Sequence, residues 1–244
     1  MYVRLSSLTP SQARKSDVHN RDVRMIVTID GPAGAGKSTA ARALALALGY
    51  EFLDTGAMFR AVALAATRTG IALADEAGLA RLLAELRLEM AAGRVSLDGK
   101  DISGHIRTPE ISAGSSVVAA SAVVRPRLAA LQRQIVGGRD FVCEGRDQGT
   151  VVFPDSPCKF FLTADAEERL RRRVEDLRSR GTIVEIDVLR QEQAERDHRD
   201  SHRELAPLRP APDAILVDST GRTLEEVVSL MEGEVRRRSA SGPS

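Results

Sequence analysis

Nine consecutive residues, Gly31-Pro32-Ala33-Gly34-Ala35-Gly36-Lys37-Ser38-Thr39, place three glycines, one ammonium and two hydroxyls in a single short segment. Glycine lets a backbone turn its N–H groups inward, and a concave nest of such donors suits phosphate oxygens. The spacing GxxxxGK[ST] gains its meaning from context. It follows MIVTID, an apolar and β-branched run that reads as a buried strand, and it opens STAARALALALG, which reads as a helix. The positive end of that helix adds to the field at the loop. Lys37 is then placed for the outer phosphate oxygens of a nucleotide and Ser38 for a Mg²⁺ ion.

The basic residues outside this loop are almost all arginine. Four of the 35 are lysine, and arginine stands at many loop and helix positions. A planar guanidinium that grips phosphate bidentately and keeps its charge when buried suits two polyanions held side by side. Arg60 interrupts the apolar run GAMFRAVALAATRTG, an uncomfortable place for a solvated charge. Arg169, Arg171, Arg172 and Arg173 exceed what i,i+4 pairing with Glu167, Glu168, Glu175 and Asp176 requires. Arg196, Asp200 and Arg203 share a helical face at i, i+4 and i+7, which suits either a solvated ion-pair ladder or a binding face. Glu144 closes the apolar strand FVCEG, either to orient metal-bound water or as a charged strand end. His198 and His202 lack an evident third ligand and read as surface residues, while Cys143 and Cys158 read as buried thiols.

The elements that must position these groups follow from pattern. EFLD, FVCEG, CKFFLTA and AILVD read as further strands separated by helical stretches, which favours a parallel sheet covered on both faces, with ligands at its carboxyl edge. DEAGLARLLAELR reads as a helix, and RLEMAAG and RVSLDGKDIS as two strands meeting at an Asp98-Gly99 turn. With 43% hydrophobic and 28% charged residues, the 244-residue chain has the composition of a soluble globular protein. A formal charge of +1 argues against coating nucleic acid or anionic lipid, and eight Phe and Tyr with no Trp leave few stacking platforms for bases. No run long enough to span a bilayer and no secretory apolar region is evident, so a cytoplasmic protein is expected.

VTIDGPAGAGKST, LDTGAMFR, IRTPEI, EGRDQGTVVFPD and ERDHRDS occur in the order, and at roughly the spacing, of bacterial cytidylate kinases, which the chain resembles from about Val27 to Leu230. The resemblance implies an α/β fold, a P-loop parallel sheet flanked by helices, with a nucleoside-monophosphate-binding insert at about 78–115 and a mobile lid at about 169–181. These lie in a domain of 25–237 between an extension, 1–24, and a tail, 238–244. It also implies transfer of the γ-phosphoryl group of ATP, with Mg²⁺, to CMP or dCMP, by a monomer whose partners are small molecules and not nucleic acid or membrane. Residue by residue, Gly31 to Thr39 match the ATP loop and Ser38 the metal ligand. Thr55, Arg60 and Arg146 match acceptor-phosphate positions, and Ser116 and Arg125 match contacts to the cytosine ring. Asp147 matches the acceptor of its amino group, which an acceptor-only carboxylate serves better than the carbonyl of uracil. Arg196 and Asp200 match residues at the ribose hydroxyls, and Arg203 another phosphate contact. Lys37, Arg60, Arg146, Arg172 and Arg173 are the expected catalytic cations. Three departures stand out: Phe59 where Tyr is usual, Ala33 without a hydroxyl, and Glu144 where the family has Asp. The rivals are a kinase for UMP, AMP or dTMP, and a nucleotide-binding regulatory or RNA-associated protein.

Overall fold

The computed structural model describes residues 25–91, 93–179 and 181–241. The expected extension, 1–24, lies outside the described residues, as do Arg180 of the expected lid and 242–244 of the expected tail. In chain order the elements are β1 (Ile26–Asp30), α1 (Lys37–Leu48), β2 (Glu51–Asp54), α2 (Thr55–Arg68), α3 (Glu76–Glu85), β3 (Leu88–Ala91), β4 (Arg94–Leu97), β5 (Lys100–Asp101), α4 (Pro109–Val118), α5 (Val124–Val136), β6 (Phe141–Glu144), β7 (Cys158–Thr163), α6 (Ala166–Ser179), α7 (Ile186–His202), β8 (Ile215–Asp218) and α8 (Leu224–Ser241). They belong to two compact units, one built from Met25–Gly56 and Asp140–Ser241, the other from Ala57–Arg139.

The first unit holds a five-stranded sheet in the order β2-β6-β1-β7-β8, with every pair parallel. Val27, Ile29, Val142, Phe160 and Leu162 carry its core against Ala40, Ala41 and Leu44 of α1 and Val227, Met231 and Val235 of α8. The small residues of α1 let that helix lie close to the strands. Register aligns Asp54 of β2 with Glu144 of β6, and Glu144 with Ile29 of β1, so the carboxyl ends of three strands lie side by side. Cys143 and Cys158 are buried free thiols, as expected of small apolar residues in these strands.

β1 does more than end at the loop. Its last residue, Asp30, is buried, and its carboxylate accepts the backbone N–H groups of Gln148 at 2.9 Å and Gly149 at 2.8 Å. Those donors open a turn of π-helix, Gln148–Val152, directly after Arg146 and Asp147. Two donors on one acidic residue hold the segment after β6 to the root of the glycine loop. Burial pushes the Asp30 carboxyl up to about 7, against the pull of the two N–H bonds and with a further push from Asp147.

In the second unit, α3 starts at Asp75, whose carboxylate accepts the N–H of Gly78, and α4 starts at Thr108 with Pro109 in its first turn. The Glu76 carboxylate accepts from Ser121 Oγ and the Val123 N–H, which ties α3 to the entry of α5. β3, β4 and β5 form an antiparallel sheet. Here one expectation is corrected: the Asp98-Gly99 turn joins β4 to β5, whereas β3 pairs with β4 through Ala91 and Arg94. The positive φ values of Asp98 and Gly99, 50° and 79°, close the β4–β5 hairpin. A second correction concerns the chain end. Residues 238–241 complete α8, where Arg238 bonds Glu234 and the Pro157 carbonyl.

The Asp30 carboxyl titrates near 3.8 when unfolded and near 7 when folded, so the folded chain keeps its proton across that window. The contribution to stability therefore falls as pH rises from about 4 to about 7, by at most about 1.4 kcal/mol per pH unit. Asp30→Asn cannot ionise and is expected to flatten this slope. Denaturant midpoints of both proteins at about pH 5 and about pH 7.5 check it; equal slopes would overturn it.

Candidate active site

The glycine loop sits where β1 meets α1, and its backbone path requires glycine. Gly31 has φ 149°, and a Cβ there would lie 1.9 Å from the Leu162 carbonyl oxygen. Gly34, at φ 79°, lies against the backbone and Cβ of Arg169. Gly36 precedes the first turn of α1, and no side chain caps that helix end. Lys37 is buried and its Nζ donates to the Pro32 carbonyl at 2.6 Å, which folds the side chain back over the loop. Burial and the Arg146 guanidinium draw the ammonium pKa down, partly countered by Glu144. A bound polyphosphate supplies the anionic partner that restores full charge.

Ser38 Oγ donates to Glu144 Oε1 at 2.5 Å, and Thr55 Oγ1 donates to the Glu144 carbonyl at 2.7 Å. Glu144 thus stands between the loop and the start of α2. Burial and the neighbouring Asp54 raise its pKa, while Lys37 opposes the shift. A hydroxyl beside two carboxylates is an all-oxygen donor set, the chemistry that Mg²⁺ prefers. The residues present therefore fit the ion, with Ser38 and Glu144 in contact and Asp54 on the adjoining strand end. Among the described residues, no group of three or more His, Cys, Asp or Glu side chains is arranged to hold a metal by itself, so an ion here needs further oxygens. His198 and His202 stack ring on ring, exposed on α7.

Arg146 follows β6 and donates to Asp200 at 3.0 Å. Burial opposes both charges, yet the pair holds: Arg146, Arg196 and Arg203 keep the Asp200 carboxyl below its usual range, and Asp200 raises the Arg146 guanidinium. The face expected to carry Arg196, Asp200 and Arg203 needs correction. α7 ends at His202, and Arg203 is extended, with φ −64° and ψ 141°. Arg203 still approaches Asp200 at 3.9 Å and bonds the Ala206 carbonyl, so the turn by which the chain leaves α7, and not a continued helix, completes the trio. Asp147, next to Arg146 in sequence, is buried immediately before the π-turn.

α6 carries the segment expected to form a lid. Arg169 is buried and bonds the Ala33 carbonyl at 3.0 Å, the Ala164 carbonyl and Asp197 of α7. Arg172 bonds Glu168, both the hydroxyl and the carbonyl of Ser219, and approaches the Ala35 carbonyl at 3.5 Å. Arg173, named beside Arg172 from the sequence, pairs instead with Asp176 of its own helix. Asp30, Asp54 and Ser219 were not singled out from sequence. The acid ending an otherwise apolar β1 was a readable signal for Asp30, whereas nothing local marks Ser219.

In the second unit, Phe59 and Arg60 lie on α2, Ser116 is buried on α4 and Arg125 is buried on α5. The Arg125 guanidinium lies over the Phe59 ring, 5.6 Å from its centroid, and donates to the Ala119 carbonyl at 2.7 Å. An aromatic face attracts the cation whether or not the ring carries a hydroxyl, so Phe serves here where Tyr was expected.

A model of the cytidylate kinase family matches residues 27–237. The cytidylate kinase of Geobacter sulfurreducens is 50% identical over 223 residues, covering 90% of this chain and 96% of that protein. The cytidylate kinase of Pelotomaculum thermopropionicum is 49% identical over 214 residues, covering 86% and 95%. Among solved structures, an uncharacterized protein from Eubacterium ventriosum aligns with a TM-score of 0.51 at 12% identity, covering 87% of this chain and 99% of that one, a likeness of fold alone. With the glycine loop, Lys37, Glu144 and the Arg146–Asp200 pair gathered on one sheet edge and half the aligned residues shared with a named relative, the chain belongs to the cytidylate kinase family.

Proposed function

We propose that the protein transfers the γ-phosphoryl group of ATP to CMP or dCMP, giving ADP and CDP or dCDP. The observation that carries this reading is the buried cationic set at the glycine loop: Lys37 folded over the loop, with Arg146 close enough to depress its pKa. A transferring phosphoryl group asks for little covalent chemistry, so alignment and charge neutralisation supply most of the acceleration. In this reading Gly31 to Thr39 hold the donor phosphates, with backbone N–H groups on the oxygens and Lys37 reaching the outer ones. Ser38 with Glu144 and Asp54 hold Mg²⁺, which when bound would neutralise charge on the donor's phosphates. Thr55, Arg60, Arg146 and Arg203 serve the acceptor phosphate, Arg196 and Asp200 the ribose, and Ser116, Arg125 and Asp147 the base; family membership supports these assignments. Arg172, beside Gly36, serves the donor phosphates, and Arg173 the same triphosphate. The 78–115 insert is assigned to monophosphate binding and 169–181 to the lid segment, in which Arg169 and Arg172 already bond the glycine loop and the residues beyond them close to exclude water, a competing acceptor. The protein acts as a monomer in the cytoplasm; among the described residues no helix is long and apolar enough to cross a membrane.

An initial-rate panel of CMP, dCMP, UMP, AMP and dTMP with MgATP tests the substrate class. CMP and dCMP are expected to give the highest kcat/KM, and a preference for AMP would overturn the assignment. Lys37→Ala is expected to lower kcat by about 10³-fold or more with an unchanged circular dichroism spectrum; wild-type turnover in that variant would exclude its role. Asp147→Ala is expected to raise KM for CMP by about 10- to 100-fold and to leave KM for ATP nearly unchanged. Equal rises for both nucleotides would remove Asp147 from base recognition.

A further inference from the structure

We infer that Ser219 is a positioning residue that fixes Arg172 against the glycine loop before any nucleotide arrives, so that this guanidinium is a standing part of the donor-phosphate site and not one delivered by closure of a lid. The inference deepens the proposed kinase reading and rests on it. All three nitrogens of Arg172 are engaged. Nε donates to Glu168 at 2.8 Å, one terminal nitrogen to Ser219 Oγ at 2.9 Å, and the other to the Ser219 carbonyl at 2.7 Å. The fork is thereby set in one plane and one rotation. It points at the loop: the nitrogen on Ser219 Oγ lies 3.5 Å from the Ala35 carbonyl and 3.5 Å from where a Cβ on Gly36 would stand. A phosphate oxygen cradled by the loop's N–H groups would meet that nitrogen in place of the long Ala35 contact.

Ser219 is itself held rigidly. It follows β8 directly, its N–H donates to the Thr163 carbonyl at 2.9 Å, and it is buried. That bond extends the parallel β7–β8 ladder, whose register pairs Thr163 with Asp218. Its hydroxyl carries one proton, shared between the Thr163 carbonyl at 3.0 Å and the Ala35 carbonyl at 3.2 Å, which leaves its lone pairs to accept from Arg172. A free arginine loses side-chain entropy when it grips a ligand, and one already immobilised by a sheet edge does not lose it again.

Ser219→Ala keeps the backbone carbonyl and deletes only the hydroxyl. The experiment compares wild type, Ser219→Ala, Arg172→Ala and the double variant by KM for ATP and for CMP, by equilibrium titration with ATP, and by thermal midpoint. Ser219→Ala is expected to raise KM and the dissociation constant for ATP about 5- to 10-fold, with KM for CMP changed less than about twofold. In the Arg172→Ala background the same substitution is expected to add less than about twofold, since both deletions remove one interaction. The inference is overturned if Ser219→Ala leaves ATP affinity at the wild-type level, weakens CMP equally, or keeps its full effect without Arg172, which would place its action on the Ala35 carbonyl. A wild-type protein that forms no CDP from CMP and ATP would overturn the kinase reading instead, and the ATP titrations would still decide for or against Ser219.

Discussion

Burying Asp30, Lys37, Glu144, Asp147 and Asp200 at one edge of a sheet is tolerable only where each polar group meets an opposite charge or a directed hydrogen bond, or, as at Asp30, keeps its proton to about pH 7. That constraint shapes the whole site. Asp30 is met by two backbone N–H groups, Glu144 by the Ser38 hydroxyl, Asp200 by Arg146 and Arg203. Lys37, folded onto the Pro32 carbonyl, is left with a depressed pKa that an incoming polyanion relieves. In this state the groups satisfy one another. Nucleotides therefore enter by exchange of partners, a smaller penalty than assembling charges from water.

The same bonds join the parts that must act together. Asp30 links the root of the glycine loop to the segment bearing Arg146 and Asp147, and Asp200 links that segment to α7. Arg169 links the loop to α7 through Asp197, and Arg172 links it to the end of β8 through Ser219. A displacement of the loop is thus shared by β6, β8, α6 and α7. In-line transfer needs donor and acceptor placed within fractions of an ångström, and a frame of this kind resists drift.

The three departures from the family pattern have local physical accounts. Ala33 contributes through its carbonyl, which accepts from Arg169, and any residue type supplies a carbonyl. Phe59 offers its ring face to Arg125. Glu144 carries one more methylene than Asp, and it spans the gap between its strand end and Ser38 with a 2.5 Å hydrogen bond.

Much of the molecule was legible in the chain because it is local. A glycine loop between an apolar strand and a helix is nine adjacent residues, and the 2.0 and 3.6 periods of the surrounding segments mark strands and helices without reference to anything distant. Where two local signals competed, as with glycines at both 93 and 99, residue spacing alone assigned the turn to the wrong strand pair. What only the tertiary structure decided are the pairings between segments more than a hundred residues apart: Asp30 with Gly149, Ser38 with Glu144, and Ser219 with Ala35. Each depends on the strand order β2-β6-β1-β7-β8 and its register, and no periodicity along one strand specifies which other strand will lie beside it.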